Sequence, residues 1–190
     1  YTIFLKQLIT EGDLGESLKY PGKSVTETLL TNSKVSGVNG AIALTFGVST
    51  GIIMGIIAAL NKNKWPDYLI TFIAMMGITI PAFVLASMFQ YLFSVKWQLL
   101  PTSGWGEPKY MILPIMTMCI GGQATYVRYI KANMLEVMGQ DYIMTAEAKG
   151  DDRFHVLKDH VMKNAVLPCI TILVGQISGF FTGSFIIEKM

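Results

Sequence analysis

The chain has 190 residues, 52% of them hydrophobic and only 15% charged, and its mean hydropathy is positive at +0.46. This is too apolar and too charge-poor for an ordinary soluble domain. A net charge of +2, with no basic cluster alternating with aromatics, argues against nucleic acid as a partner.

Four stretches carry no Asp, Glu, Lys or Arg, and each reaches at least 18 residues: Val35 to Asn61, Tyr68 to Val95, Tyr110 to Val127 and Asn164 to Ile187. Roughly 20 helical residues cross a hydrocarbon core of about 30 Å, so each can span a bilayer. A chain this short could not wrap four such segments in a polar shell. The fold class expected is therefore all-α, a polytopic transmembrane helical bundle.

Residues 1–34 are polar and mixed, and Gly12, Gly15, Pro21 and Gly22 interrupt any long helix, so they read as an extracytoplasmic segment. The transmembrane domain follows over 35–190. In the first span, 35–60, Gly47, Gly51 and Gly55 recur on one face. That spacing suits close helix packing, either within the chain or as a dimerisation or pore-lining stripe.

After the turn at Lys62 and Lys64, the second span covers about 67–95. Pro81 lies in its middle and removes a backbone hydrogen bond, so a kink or break is expected there, serving a gate or merely static. Pro101, Gly104, Trp105 and Pro108 mark a loop with aromatic anchors. The third span covers about 110–132. A polar connection, 134–165, precedes the fourth span, 166–187, which Pro168 opens near its first turn.

Lys and Arg cluster in the connection (Arg128, Lys131, Lys149, Arg153, Lys158, Lys163) and at Lys62 and Lys64, so these face the cytoplasm and residues 1–34 lie outside. Because the chain starts at Tyr1 and stops at Met190 directly after an apolar run, both ends are expected to be cut from something longer.

The connection reads as helix, glycine break, helix. Thr145 to Lys149 is helical, Gly150 suits a left-handed position after the helix, and Asp151 or Asp152 can cap the next one. Phe154, Leu157, Val161 and Ala165 share a face at helical spacing.

Thr145-Ala146-Glu147-Ala148-Lys149-Gly150, followed by Asn164-Ala165-Val166-Leu167-Pro168, resembles the cytoplasmic loop of ATP-binding-cassette importer permeases, in the oligopeptide, dipeptide and nickel branch. Gly12-Asp13-Leu14-Gly15, Pro81 with Phe83, Leu100-Pro101 with Gly104-Trp105, and Asp141-Tyr142 stand in that family's order. The general pattern has Glu and Ala where this chain has Met144 and Thr145, and a shorter interval from glycine to proline; both departures match the peptide branch.

The resemblance implies a type I importer fold and the first of two permease subunits, with a membrane helix before Tyr1 and another after Met190. Its implied partners are a second permease subunit, two ATP-binding cassette ATPase subunits, an extracytoplasmic substrate-binding protein and the lipid bilayer. The ATPase-coupling residues it implies are Asp141, Thr145, Ala146, Ala148, Lys149, Gly150 and Asp152, with Pro81 and Pro168 as hinges.

Other classes fit less well. An ion-coupled secondary transporter would place Asp, Glu or His inside the bilayer, and the spans read here have none. No catalytic pair, no phosphate loop and no metal-spaced histidines occur, so neither a catalytic site nor a cofactor is expected, and ATP hydrolysis falls to partners. Nickel chelates and haem stand beside peptides as cargo. Thr45, Ser49, Thr79, Gln90, Gln123, Thr125, Gln176, Ser178 and Thr182 either line a path or bond to neighbouring helices.

Overall fold

The computed structural model describes residues 2–104 and 106–182, so Trp105 and the far end of the fourth span lie outside the described residues, as do the side chains of Ser178 and Thr182. A short helix α1 (Thr2–Glu11) and a loop closed by the isolated bridge between Glu16 and Ser24 precede α2 (Val25–Leu60). Ser24 caps α2, its hydroxyl accepting from the Glu27 N–H. The helix thus begins ten residues before the charge-free stretch. At about 1.5 Å per residue, its 36 residues exceed a bilayer core by several turns.

After the turn Asn61–Lys64 come α3 (Trp65–Thr79) and α4 (Ala82–Phe89), the latter continued by a π-helical turn (Gln90–Lys96). The two helix axes bend by 105° at Ile80 and Pro81. The expected second span is therefore two short helices, because proline can neither donate to the preceding turn nor leave its predecessor helical. A 3-10 turn (Pro108–Tyr110) leads into α5 (Ile112–Met138), then α6 (Asp141–Ala148), α7 (Arg153–His155), a second π turn (Val156–Met162) and α8 (Lys163–Thr182). Among the described residues, three helices are long and apolar enough to cross a membrane, or four with the bent pair counted as one.

The centre of the bundle is α2 against α5. A Cβ added at Gly51 would lie 2.7 Å from the Tyr126 Cβ and 2.8 Å from the Gln123 carbonyl oxygen, and one at Gly55 would lie 2.7 Å from the Ile130 Cβ. The glycine face is consequently taken up within this chain, backbone against helix. Tyr126, Ile130 and Met134 on α5 are fully buried around it, whereas Phe46, Ile53, Phe72 and Val174 are exposed. Lipid is as apolar as these side chains, so the interior gains from close packing more than from leaving a solvent.

Gly55 meets Ile130, and Asp67 meets Lys131. The Asn61–Lys64 turn and the 139–163 connection therefore lie at one end of the bundle, on the same side, as the charge count had them.

Candidate functional site

At that end, α6 stops in a way its sequence dictates. The Gly150 N–H donates to the Glu147 carbonyl at 3.0 Å and the Asp151 N–H to the Ala146 carbonyl at 3.3 Å. This paired closure requires a left-handed residue, and Gly150 has φ +88°. Asp152 then caps α7, its carboxylate accepting the Phe154 N–H at 3.1 Å. A hydrogen-bonded tip results, with Ala148, Lys149, Gly150, Asp151 and Asp152 all exposed.

Asp141 and Thr145 are exposed too, and the Thr145 hydroxyl donates to the Asp141 carbonyl. Ala146 differs: only 8% exposed, it faces inward with Ile143 onto Val156, Val161 and Ala165. It seats the hairpin and presents nothing outward.

Of the stripe expected at Phe154, Leu157, Val161 and Ala165, Val161 and Ala165 are buried and Leu157 packs against the same cluster, while Phe154 needs correcting. Phe154 is 69% exposed, and the buried line is Val156, Val161, Ala165 and Cys169. Its first interval is five residues because the chain there forms a π turn, whose wider repeat shifts the inward face. Pro168 also differs from expectation. It lies inside α8, well past the start of a helical run that begins at Arg153, so it is no first-turn proline.

Two asparagines tie the hairpin down. The Asn133 amide on α5 donates to the Ala165 carbonyl at 3.1 Å. The Asn164 amide donates to the Tyr142 hydroxyl at 3.2 Å and to the His160 carbonyl at 2.8 Å. On the outer face His155, Asp159 and Lys163 form a ladder, with contacts of 3.3 and 3.0 Å. The Lys163 ammonium donating to Asp159 holds that carboxyl below the usual range.

A second cluster escaped the sequence reading. Asp67, in the first turn of α3, is 3% exposed and ion-paired with Lys131 of α5. Its carboxylate also accepts the Asn63 backbone N–H at 3.0 Å and the Thr71 hydroxyl at 3.1 Å, while Lys131 donates to Thr71 at 3.0 Å. Asp67 stands at the edge of the expected second span, and the sequence signal was that place, one residue before a charge-free run.

Of the polar groups expected to line a path or bond to neighbours, four make side-chain hydrogen bonds, and among the described residues none is found for Ser49, Thr79 or Thr125. Thr45 donates to the Ala41 carbonyl, Gln90 to the Thr102 carbonyl, and Gln123 to the Met54 sulfur, while Gln176 accepts from the Tyr126 hydroxyl at 3.0 Å.

Residues 51–190 match the family model described as binding-protein-dependent transport system inner membrane component. The chain is 39% identical over 190 residues to a dipeptide transport system permease protein of Bacillus subtilis. It is 35% identical over 192 residues to an oligopeptide transport system permease protein of Haemophilus influenzae, and 37% over 193 to that of Escherichia coli K12. Each alignment covers 100% of this chain, which spans 61–62% of the length of these curated relatives.

The fold is shared with a chain in a crystal structure of an amino acid ABC transporter with histidines, at TM-score 0.64 and 13% identity, over 83% of this chain and 69% of that one. With a family match across most of its length and a shared helical architecture, the chain belongs to the inner membrane components of binding-protein-dependent transport systems.

Proposed function

We propose that this chain is a permease subunit of an ATP-driven importer of oligopeptides or dipeptides, forming the translocation pathway with a second permease subunit. It carries no catalytic site. Two ATPase subunits supply the work, and an extracytoplasmic binding protein delivers the cargo. The observation that supports the coupling role best is the tip at Gly150. It is exposed and built from small and charged side chains, yet held from behind by Ile143, Ala146 and Val156.

A docking element must be accessible to its partner and stiff enough to transmit displacement, since a contact couples two states only if its position differs between them. Within this reading Asp141, Thr145, Ala148, Lys149, Gly150 and Asp152 face the ATPase, Ala146 seats the helix, and Pro81 and Pro168 mark where helices bend. Peptides are favoured as cargo by the names of relatives 35–39% identical over the whole chain.

The test is ATP-dependent uptake in vesicles holding the full complex, with and without Lys149→Glu, together with crosslinking from Ala148→Cys. Loss of uptake and a crosslink to an ATPase subunit are expected. Uptake driven by an ion gradient without nucleotide would overturn the reading. Mass spectrometry of ligands carried by the cognate binding protein separates peptides from nickel chelates and haem.

A further inference from the structure

The Asp67–Lys131 pair is placed where two mechanically different parts of the subunit meet. On one side is α5, packed backbone-close onto α2 along the glycine face and running on through Gly139 into α6. Lys131 stands seven residues before the end of α5, about 10 Å along its axis. On the other side is α3, which ends in the 105° break at Pro81.

Between these helices the rest of the seam is apolar, with Ile70 of α3 packed among Ala124 and Val127 of α5. Ala74 packs with Ala124 and Val127 in one small cluster, and a Cβ on Gly77 would sit 3.1 Å from Ile120. The small residues Ala74, Gly77 and Ala124 allow close approach, and the apolar contacts beside them are non-directional. Among the described residues, the polar links between α3 and α5 are those Lys131 makes to Asp67 and Thr71.

The cost of this arrangement argues that it does more than hold the helices together. An ion pair whose carboxylate is 5% and whose ammonium is 24% exposed gains little over an apolar pair of similar size, and such pairs are best attested as setters of register or as switches. The carboxylate is also bound into the preceding turn, because it accepts the N–H of Asn63, a non-glycine residue at φ 62°. Asp67 therefore answers to both the α2–α3 turn and α5.

We propose that the Asp67–Lys131 pair is the strut that carries displacement of α6, through α5, to the bent helices α3 and α4. Both side chains are then positioning residues of the transport cycle. This rests on the coupling reading above, and the experiment separates the two.

In the complete transporter, on a Cys119→Ala/Cys169→Ala background, spin labels are placed at the exposed positions Ile53→Cys with Met144→Cys to report α6, and Ile53→Cys with Leu69→Cys to report α3. Distances are measured with and without a non-hydrolysable ATP analogue. With the native pair, both distances are expected to shift. In Asp67→Asn and in Lys131→Met the α6 shift persists while the α3 shift is lost, and Lys131→Arg and the exchange Asp67→Lys/Lys131→Asp bring it back. Lys131→Gln replaces Lys131→Met if the latter fails to assemble.

An α3 shift undiminished in the single variants, or not restored by Lys131→Arg or by the exchange, overturns the strut. Absence of the α6 shift with the native pair instead overturns the coupling reading, and the strut with it.

Discussion

Replacing Gly51 with alanine tests the glycine seam that organises the bundle. The added Cβ would meet the Tyr126 Cβ at 2.7 Å and the Gln123 carbonyl oxygen at 2.8 Å, where ordinary contact starts at 3.4 Å. Neither is the end of a flexible chain, so α2 and α5 must part by roughly 0.7 Å, and loss of close contact over even part of an ångström forfeits a quarter to a half of each dispersion well. Overpacking of this kind costs about 1–3 kcal/mol. Against it stands the gain from replacing a mid-helix glycine by alanine, about 1 kcal/mol.

Gly51→Ala is therefore expected to be neutral to destabilising by about 2 kcal/mol. Gly121→Ala, with nothing within 4 Å of its added Cβ, should be stabilising by up to about 1 kcal/mol. Gly47→Ala, whose nearest contact is the Cys119 carbonyl at 3.2 Å, belongs between them. The assay is the unfolding midpoint of purified protein in detergent. A Gly51→Ala midpoint equal to or above that of Gly121→Ala would refute the argument.

The remaining predictions concern the hairpin. Gly150→Ala has open space for its methyl but keeps the left-handed backbone, so about 1–2 kcal/mol of local strain should speed exchange of the Gly150-region amides roughly 5–30-fold, read by hydrogen–deuterium exchange. Asp152→Ala removes the α7 cap and should cost about 1 kcal/mol, seen as faster exchange at Phe154. Asn164→Ala and Tyr142→Phe remove the same hydrogen bond, so a double-mutant cycle on thermal stability should give an interaction energy of about 0.5 kcal/mol or more. Val156→Ala should cost about 1–3 kcal/mol and Phe154→Ala less than about 0.5, and the reverse order would contradict the π-turn register.

Much of the architecture could be read from where charges are missing. The charge-free stretches locate α2, the α3–α4 pair, α5 and α8, because burying a charge in hydrocarbon is costly and the chain avoids it. Gly150 and Asp152 could be read because a left-handed closure and a cap each demand a narrow set of residues at one position.

What could not be read depends on contacts between distant segments. The π turn at Val156 to Met162 has no residue signature of its own, so a repeat of 3.6 placed Phe154 inward when packing turned Val156 there instead. Ala146 and Ala148 are the same residue two positions apart, and only the cluster behind α6 decides which is buried. Asp67 looked like a flanking charge until Lys131, 64 positions later, was brought against it.

Contact between α2 and α5 at Gly47, Gly51 and Gly55 sets the α2 backbone against peptide oxygens and the Cβ atoms of Tyr126 and Ile130, groups that no rotamer change can move aside to let one helix slide past the other. The two helices can consequently roll or tilt on one another but not telescope. Motion handed from α6 along α5 is therefore a rotation, articulated where the chain turns at Gly139 and breaks at Pro81.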